Sequence, residues 1–291
     1  MSAAVPVPVP GEAPPRRSVL VSIRRNPTIA FGIVVLTLLV IVAAIAPWIS
    51  GDPFKLSSIN RLRPPSARFW FGTDQYGRDV FARSIHGARV SLMVGFVVAG
   101  ISCVVGLLLG LLCGYVRRVD AVVMRLMDGL MAIPSILLAI ALITLTRPGL
   151  GIVIVAITIP EVPRIVRVVR SVVLSIRSQP YIESAIAGGT RRTRLLVRHI
   201  LPNTLAPLIV QGSYIFASAM LIEAGLSFLG AGVPPETPSW GNIIAQGRQF
   251  FQIAPWTILI PGCFLATAVL AVNLLGDGLR DRLDPRLARR M

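Results

Sequence analysis

Apolar residues along this chain are gathered into long runs that short polar segments separate. A helix needs about 20 apolar residues to cross the hydrocarbon core of a membrane. Six runs approach or exceed that length, and they predict transmembrane helices at residues 29–49, 91–116, 121–144, 150–173, 205–229 and 256–275. The pattern therefore predicts an all-α polytopic membrane protein with six transmembrane helices.

The segments between the runs define the rest of the organisation. Residues 1–28 are rich in proline and predict a cytoplasmic tail that is disordered at least to about residue 18. Residues 50–90 are expected to form an extracytoplasmic loop. Residues 91–291 make up a transmembrane domain that contains a polar cytoplasmic segment at 181–203 and an outer loop at 230–255.

Composition and charge support this organisation. The chain is 54% hydrophobic and only 14% charged, whereas a soluble domain carries about a quarter charged residues. The net charge is +16, and with the amino terminus inside, 20 of the 29 basic residues fall on the cytoplasmic side. The positive-inside rule then predicts that both termini are cytoplasmic. Because the arginines lie between apolar runs with few aromatic neighbours, nucleic-acid binding is not indicated.

Arg164, Arg167 and Arg170 follow the fourth run, which Pro160 and Pro163 interrupt. Their spacing of three residues places them on one face of a helix. Two interpretations stay open. The side chains extend to lipid phosphates at the interface, or the helix continues past the bilayer and holds the 181–203 segment away from the membrane.

The residues of a catalytic or metal site are missing. A P-loop needs the pattern GxxxxGK[ST], and the only lysine, Lys55, lies in PFKLSS. His86 and His199 fall on opposite predicted sides of the membrane, and the sequence has neither an HExxH motif nor a Cys/His cluster. We therefore expect no catalytic residue, no metal and no cofactor on this chain.

Ionisable residues at membrane depth are functional candidates. Four residues fit that description: Asp128, Glu161, Glu223 and Asp277. Each of them has two interpretations, a structural one with a partner at an interface or in the backbone, and a functional one as part of the lining of a polar pathway. The sequence shows neither a charge relay near the midplane nor a pair of broken helices in corresponding halves. A self-sufficient secondary transporter or channel is therefore the weaker alternative.

The 181–203 segment, YIESAIAGGTRRTRLLVRHILPN, combines a short helical pattern with a basic turn. Helical spacing puts four apolar residues on one side of this segment: Tyr181, Ile182, Ala185 and Ile186. Nothing near them in the sequence would bury them, so we expect them to need a groove on a partner. The alternative is a helix lying on the membrane surface. Gly188 and Gly189 are expected to end the helix, and Pro202 to redirect the chain into the fifth span. Four arginines lie between: Arg191, Arg192, Arg194 and Arg198.

These residues carry a family resemblance. The sequence Glu183-Ser184-Ala185, followed by Gly189 and then by residues 200–202, resembles the EAA loop of ABC-importer permeases. Ser184 stands where that family usually has alanine, and it is small enough to keep the helix. Four further stretches resemble, in the same order, the C-type permease of dipeptide and oligopeptide importers: 71–92, 125–142, 223–244 and 273–286.

The resemblance implies a type I ABC-importer permease fold in the cytoplasmic membrane. Residues 181–189 would form a coupling helix that docks on a cytoplasmic ATPase, with the four arginines and Pro202 supporting it. Partners would be a second homologous permease, two ATPase subunits that bind ATP and magnesium, and an extracytoplasmic peptide-binding protein. The substrate would be a dipeptide or oligopeptide, with nickel complexes, glutathione or another small solute as alternatives.

Two stretches on the predicted outer side each have two interpretations. Pro238, Ser239 and Trp240 would meet the binding protein, or Trp240 and Trp256 would be interfacial anchors. In the stretch 72–79, Asp74 and Asp79 would cap the outer cavity, or they would form local hydrogen bonds and pair with nearby arginines.

Overall fold

The computed structural model describes residues 27–146 and 149–283, and this part of the chain is helical, with a single isolated β-bridge between Thr73 and Asp79. The predicted tail, except for its last two residues, and the end of the chain after residue 283 lie outside the described residues. The helices are α1 Pro27–Ile49, α2 Val80–Tyr115, α3 Arg117–Ala132, α4 Ser135–Thr144, α5 Leu150–Arg177, α6 Pro180–Ala187, α7 Arg192–Leu195, α8 Leu201–Phe228, α9 Trp240–Gly247 and α10 Trp256–Leu283. A π-helical turn, Leu196–Ile200, joins α7 to α8.

Two predicted boundaries were wrong. The second span begins at Val80 and not at residue 91, so the first outer loop ends at residue 79, where the side chain of Asp79 caps the helix. The predicted third span is two helices, α3 and α4, which meet at an angle of 91°. Pro134 lies at the break, because proline lacks an amide hydrogen and disfavours helical geometry at the preceding residue, Ile133.

The fifth predicted span also differs from expectation. It begins at Thr193 and continues through the π-helical turn to Phe228. Pro202 lies in the first turn of α8 and does not redirect the chain.

Four helices in the described residues are long and apolar enough to cross a membrane, and α3 with α4 would make a fifth if the bent pair is one span. The predicted fourth span, α5, is 28 residues long and contains Glu161, Arg164 and Arg167, so it is more polar than the others. The count of six spans and the cytoplasmic location of both termini therefore remain predictions.

Helix α2 lies at the centre of the bundle and packs against α5 and α8, while α10 packs against α8 and α1. Three glycines spaced four residues apart let α2 approach α5 closely: Gly106, Gly110 and Gly114 lie against Ile165, Val169 and Val173. Small residues at this spacing are typical of helix contacts inside membranes. The main core lies between α2, α5 and α8 and extends to α6 and the π-helical turn.

Candidate functional site

Helix α6 has the ends that its sequence predicts. Pro180 begins the helix, where a missing amide hydrogen costs nothing. Gly189 has a φ of +78°, and the amide of Thr190 donates to the carbonyl of Ala185 at 3.0 Å. A left-handed glycine followed by this hydrogen bond is the usual end of a helix whose chain must turn sharply.

The expectation that the apolar face of α6 lacks an intramolecular partner was wrong for half of that face. Ile182 is fully buried and Ala185 packs beside it, both against the main core. Tyr181 and Ile186 remain 48% and 56% exposed. Burial of Ile182 stabilises the position of α6 by about 1.5–3 kcal/mol and leaves the opposite side of the helix available.

That available side is continuous along the helix. Glu183, Ser184, Gly188 and Gly189 are exposed beside the two apolar residues. The hydroxyl of Ser184 donates to the carbonyl of Pro180 at 2.9 Å. This hydroxyl is therefore satisfied within the helix. The exposed side of α6 is therefore small, with one carboxylate and two apolar side chains.

The arginines after α6 have exposed side chains at residues 191, 194 and 198. None of these three forms an ion pair with a carboxylate in the described part of the chain, and nothing is described of the Arg192 side chain. Their predicted support of the segment stays a prediction.

The arginines of α5 bind protein groups instead. Arg164 lies 3.3 Å from Glu161, Arg167 lies 2.5 Å from Asp128, and Arg170 forms a bidentate pair with Asp120. The helix does continue to Arg177, which donates to the carbonyl of Gly114 at 2.7 Å. Arg167, Arg170 and Arg177 therefore attach α5 to α3 and to the end of α2, whereas Arg164 pairs within α5.

The membrane-depth acids also have partners within the protein, although Oε2 of the buried Glu161 has no hydrogen-bond partner among the described residues. Asp128 is 59% exposed in its pair with Arg167. Asp277 accepts a hydrogen bond from the hydroxyl of Tyr214. Glu161 is fully buried and receives one from Ser218 at 3.3 Å.

Glu223 is fully buried where α2, α8 and α9 meet. Its Oε1 accepts hydrogen bonds from Ser227 and Ser239, both at 2.9 Å, and its Oε2 lies 3.5 Å from the hydroxyl of Ser91. A buried carboxyl group with several hydroxyl partners joins the segments that carry them. The geometry favours the structural role over a pathway role for this residue.

A second buried cluster lies at the outer end of α2. Asp74 is 2.7 Å from Nε of Arg78 and 2.6 Å from Nη1 of Arg83, and all three residues are buried. Gln246 of α9 accepts from both arginines, at 2.6 and 3.0 Å. Asp74 therefore forms the local pairing that the sequence left open, and it fastens the outer loop to α9.

Asp79 forms local hydrogen bonds rather than an ion pair. Its carboxylate accepts from the amide of Phe81 at 2.9 Å. Burial raises the pKa of Asp79 above its ordinary value, and the amides of Phe81 and Ala82 partly offset that effect. Its position as the cap of α2 is a structural one.

The predicted contact of Pro238, Ser239 and Trp240 with a binding protein is corrected by their burial. All three are enclosed by the chain itself. The indole of Trp240 donates to the carbonyl of Ser84 at 3.0 Å, and that of Trp256 donates to the carbonyl of Thr73 at 3.1 Å. The fully buried Trp240 is therefore not an interfacial anchor, whereas Trp256 is half-buried and its anchoring role stays a prediction.

Asn242 and Gln246 were missed by the sequence interpretation. Asn242 donates to the carbonyls of Val233, Pro234 and Thr237, which holds the proline-rich turn on α9. A polar side chain one helical turn into an otherwise apolar helix was the available signal. Within the described residues, no group of three or more His, Cys, Asp or Glu side chains is placed to hold a metal.

Comparison with known proteins adds family information to this geometry. Residues 106–289 match the model of the inner membrane component of binding-protein-dependent transport systems. Residues 15–65 match the N-terminal transmembrane domain of oligopeptide transport permease C.

Relatives agree over nearly the full length. A probable peptide ABC transporter permease of Sinorhizobium fredii is 58% identical over 92% of each chain. A dipeptide transport system permease of Alkalihalophilus pseudofirmus is 42% identical over 94% of this chain and 90% of the relative. A chain of the MetNI methionine ABC transporter, in an inward-facing conformation, superposes with a TM-score of 0.57 at 23% identity, covering 69% of this chain and 96% of the other. That last likeness concerns the fold.

Proposed function

Because this chain belongs to the inner-membrane components of binding-protein-dependent transport systems, we propose that its helix α6 receives ATP-driven motion from partner ATPases and transmits it to the spans of a peptide importer. The chain is a non-catalytic, multi-pass permease subunit of the peptide ABC importer family. Hydrolysis of ATP belongs to partner subunits, which would hold both ATP and magnesium.

The observation that carries the proposal is the divided burial of α6. Ile182 anchors the helix in the same core cluster as Leu195, which precedes the π-helical turn, and Ile200, which ends it. A force on the exposed side of α6 would therefore reach α8 through packed side chains, since α8 continues directly from that turn. A helix lying free on a membrane surface would lack this connection.

The substrate proposal comes from the relatives. The family model matched at residues 15–65 concerns oligopeptide transport, and the relatives are described as peptide, dipeptide and di/tripeptide permeases. We infer that this chain forms its translocation path with a second, homologous permease and receives peptides from an extracytoplasmic binding protein. Nickel complexes and glutathione are the alternative cargoes, and uptake measured over peptides of increasing length separates them.

The coupling role is tested by two substitutions in the complete importer. We expect Glu183→Lys and Gly189→Asp to abolish peptide uptake and peptide-stimulated ATP hydrolysis while the protein still inserts. Glu183→Lys reverses the exposed charge, and Gly189→Asp adds a carboxylate and a side chain at a positive φ, which costs roughly 1–2 kcal/mol.

Glu236→Lys is the matched control, because Glu236 is an exposed acid of the outer loop, and it should retain uptake. Unchanged uptake and ATPase stimulation in both α6 variants would show that α6 is not the docking site. Uptake by this chain reconstituted alone would instead favour a self-sufficient transporter and overturn the importer function itself.

A further inference from the structure

A groove opens on the outside of this chain where α2 ends and the π-helical turn begins. It has a volume of about 320 Å³, and its walls are apolar side chains from the end of α2, the π-helical turn and the first residue of α8. Leu108, Leu112 and Val197 are 63%, 46% and 64% exposed. An apolar groove of this kind, open on the outside of a membrane-spanning chain, fits a hydrocarbon chain.

The two ends of the wall lead directly into exposed arginines. The wall residue Val116 directly follows α2 and precedes Arg117 and Arg118, and Arg198 lies in the π-helical turn between the wall residues Val197 and Leu201. These three arginines are exposed, and no carboxylate in residues 27–146 or 149–283 lies within 4 Å of their charged nitrogens.

The arginines beside the groove differ from those of α5 in their binding partners. The α5 arginines at 164, 167, 170 and 177 all bind carboxylates or carbonyl groups of the protein. Among the described residues, the charges beside the groove have no such partner. They lie at the predicted cytoplasmic interface, where phosphate groups of anionic lipids are concentrated. Arginine is well suited to phosphate because it presents several donors in a planar fork.

We propose that this groove binds an anionic phospholipid of the inner leaflet, with an acyl chain between α2 and the π-helical turn and the headgroup phosphate beside Arg117, Arg118 and Arg198. The apolar wall is suited to a hydrocarbon chain and the exposed arginines are suited to an anion, and a phospholipid of this class supplies both. Free inorganic phosphate would meet only the second requirement.

Such a lipid would contact the segment that carries α6. Leu196 lines the groove and packs against the same core as Ile182, and the ring of Tyr181 lies 6.3 Å from that of His199 in the π-helical turn. Occupation of the groove would therefore restrict the turn between α6 and α8, and lipid composition would influence coupling. The site itself depends only on the location of the chain in the membrane and does not rest on the proposed role of α6.

The test uses the complete importer in nanodiscs that contain phosphatidylcholine with or without phosphatidylglycerol. Retained lipids are identified by native mass spectrometry of the Arg117→Gln/Arg118→Gln double variant, the Arg198→Gln variant and the parent. Loss of one arginine contact should weaken retention of phosphatidylglycerol about fivefold, and the double variant should weaken it on the order of 20-fold. Arg89→Gln removes an exposed arginine at the outer part of α2 and should leave retention unchanged.

Each other outcome overturns the proposal. These are equal retention of phosphatidylcholine and phosphatidylglycerol, equal loss in Arg89→Gln, competition by inorganic phosphate alone, or a partner protein segment cross-linked at Val197 in the assembled complex. Co-purification of the ATPases with the variants is measured in the same samples, so that a failure of coupling is distinguished from a failure of lipid binding.

Discussion

The buried Asp74 cluster makes a prediction with a defined asymmetry. Within residues 27–146 and 149–283, Asp74 is the carboxylate that pairs with both Arg78 and Arg83, and its side chain is 3% exposed. The Asp74→Asn substitution keeps the shape but leaves two arginines in the interior without a counter-charge. Removal of one partner from a buried ion pair costs about 3–5 kcal/mol, because the other charge stays desolvated.

Substitution of the arginine partner, Arg83, should reduce the free energy of unfolding by less than Asp74→Asn does. Nε and Nη2 of Arg83 are buried and have no hydrogen-bond partner in the described structure. Arg83→Gln removes those donors together with the charge, and Asp74 keeps Arg78 and the backbone amides of Tyr76 and Arg78. We expect a loss of about 1–3 kcal/mol, the range for one disrupted buried hydrogen bond.

Thermal unfolding in detergent measures the difference. A thiol-reactive fluorophore reports the unfolding in a Cys263→Ser background, which removes the exposed thiol, because Cys113 is buried and becomes accessible when the helices separate. At about 2–4 °C per kcal/mol, Asp74→Asn should lower the Tm on the order of 10 °C and Arg83→Gln by roughly half as much. Asp52→Asn, which changes an exposed acid of the same loop, is the control and should have little effect. An Arg83→Gln loss equal to or larger than that of Asp74→Asn would refute the charge argument.

Two further predictions concern helix contacts. Gly106→Ala should destabilise the protein by about 1–3 kcal/mol, because the added Cβ would lie 2.4 Å from Ile165. Gly100→Ala is the control and should be neutral or stabilising, because a Cβ at Gly100 would have nothing within 4 Å. Equal Tm values for the two variants would contradict the close α2–α5 contact. Glu223→Leu should lower the Tm more than Glu223→Gln, because leucine leaves the buried hydroxyls around it without an acceptor, and the same thiol assay checks this ranking.

The sequence predicts the helical class and most spans because apolar runs of membrane length have few other structures available. It fails at residues 80–90, where Arg83, His86 and Arg89 give the segment a polar composition. That stretch is helical because Asp74 and Gln246 receive Arg83 inside the protein. Gln246 is 163 residues away from Arg83 along the chain, so periodicity contains no information about the contact.

Among the candidate sites, local features are predictable from the sequence, whereas features that depend on tertiary contacts are not. The end of α6 is a local feature, and its glycine pair predicts the left-handed turn that is observed at Gly189. The burial of Trp240 depends on α2, because its backbone amide donates to the hydroxyl of Ser91 and its indole donates to the carbonyl of Ser84. Ser239 donates to the buried Glu223. A proline-rich stretch between two spans has the composition of an exposed loop, and only its tertiary contacts show that it is packed.

The two halves of the molecule differ in how their segments are attached. At the outer side, Asp74 and Glu223 bind donors from distant segments, and both clusters include α9 or the residue that caps it, Ser239. At the predicted cytoplasmic side, α6 is attached to the bundle mainly through Ile182 and Ala185. Buried polar networks resist sliding because each displacement leaves a desolvated group unpaired, whereas apolar contacts re-form after a small shift. Under the proposed coupling role, motion received at α6 should therefore displace α6 more readily than the segments of the outer half. It follows that Asp74→Asn should lower the Tm without loss of ATPase co-purification, since the substitution weakens the end of the molecule that α6 does not touch.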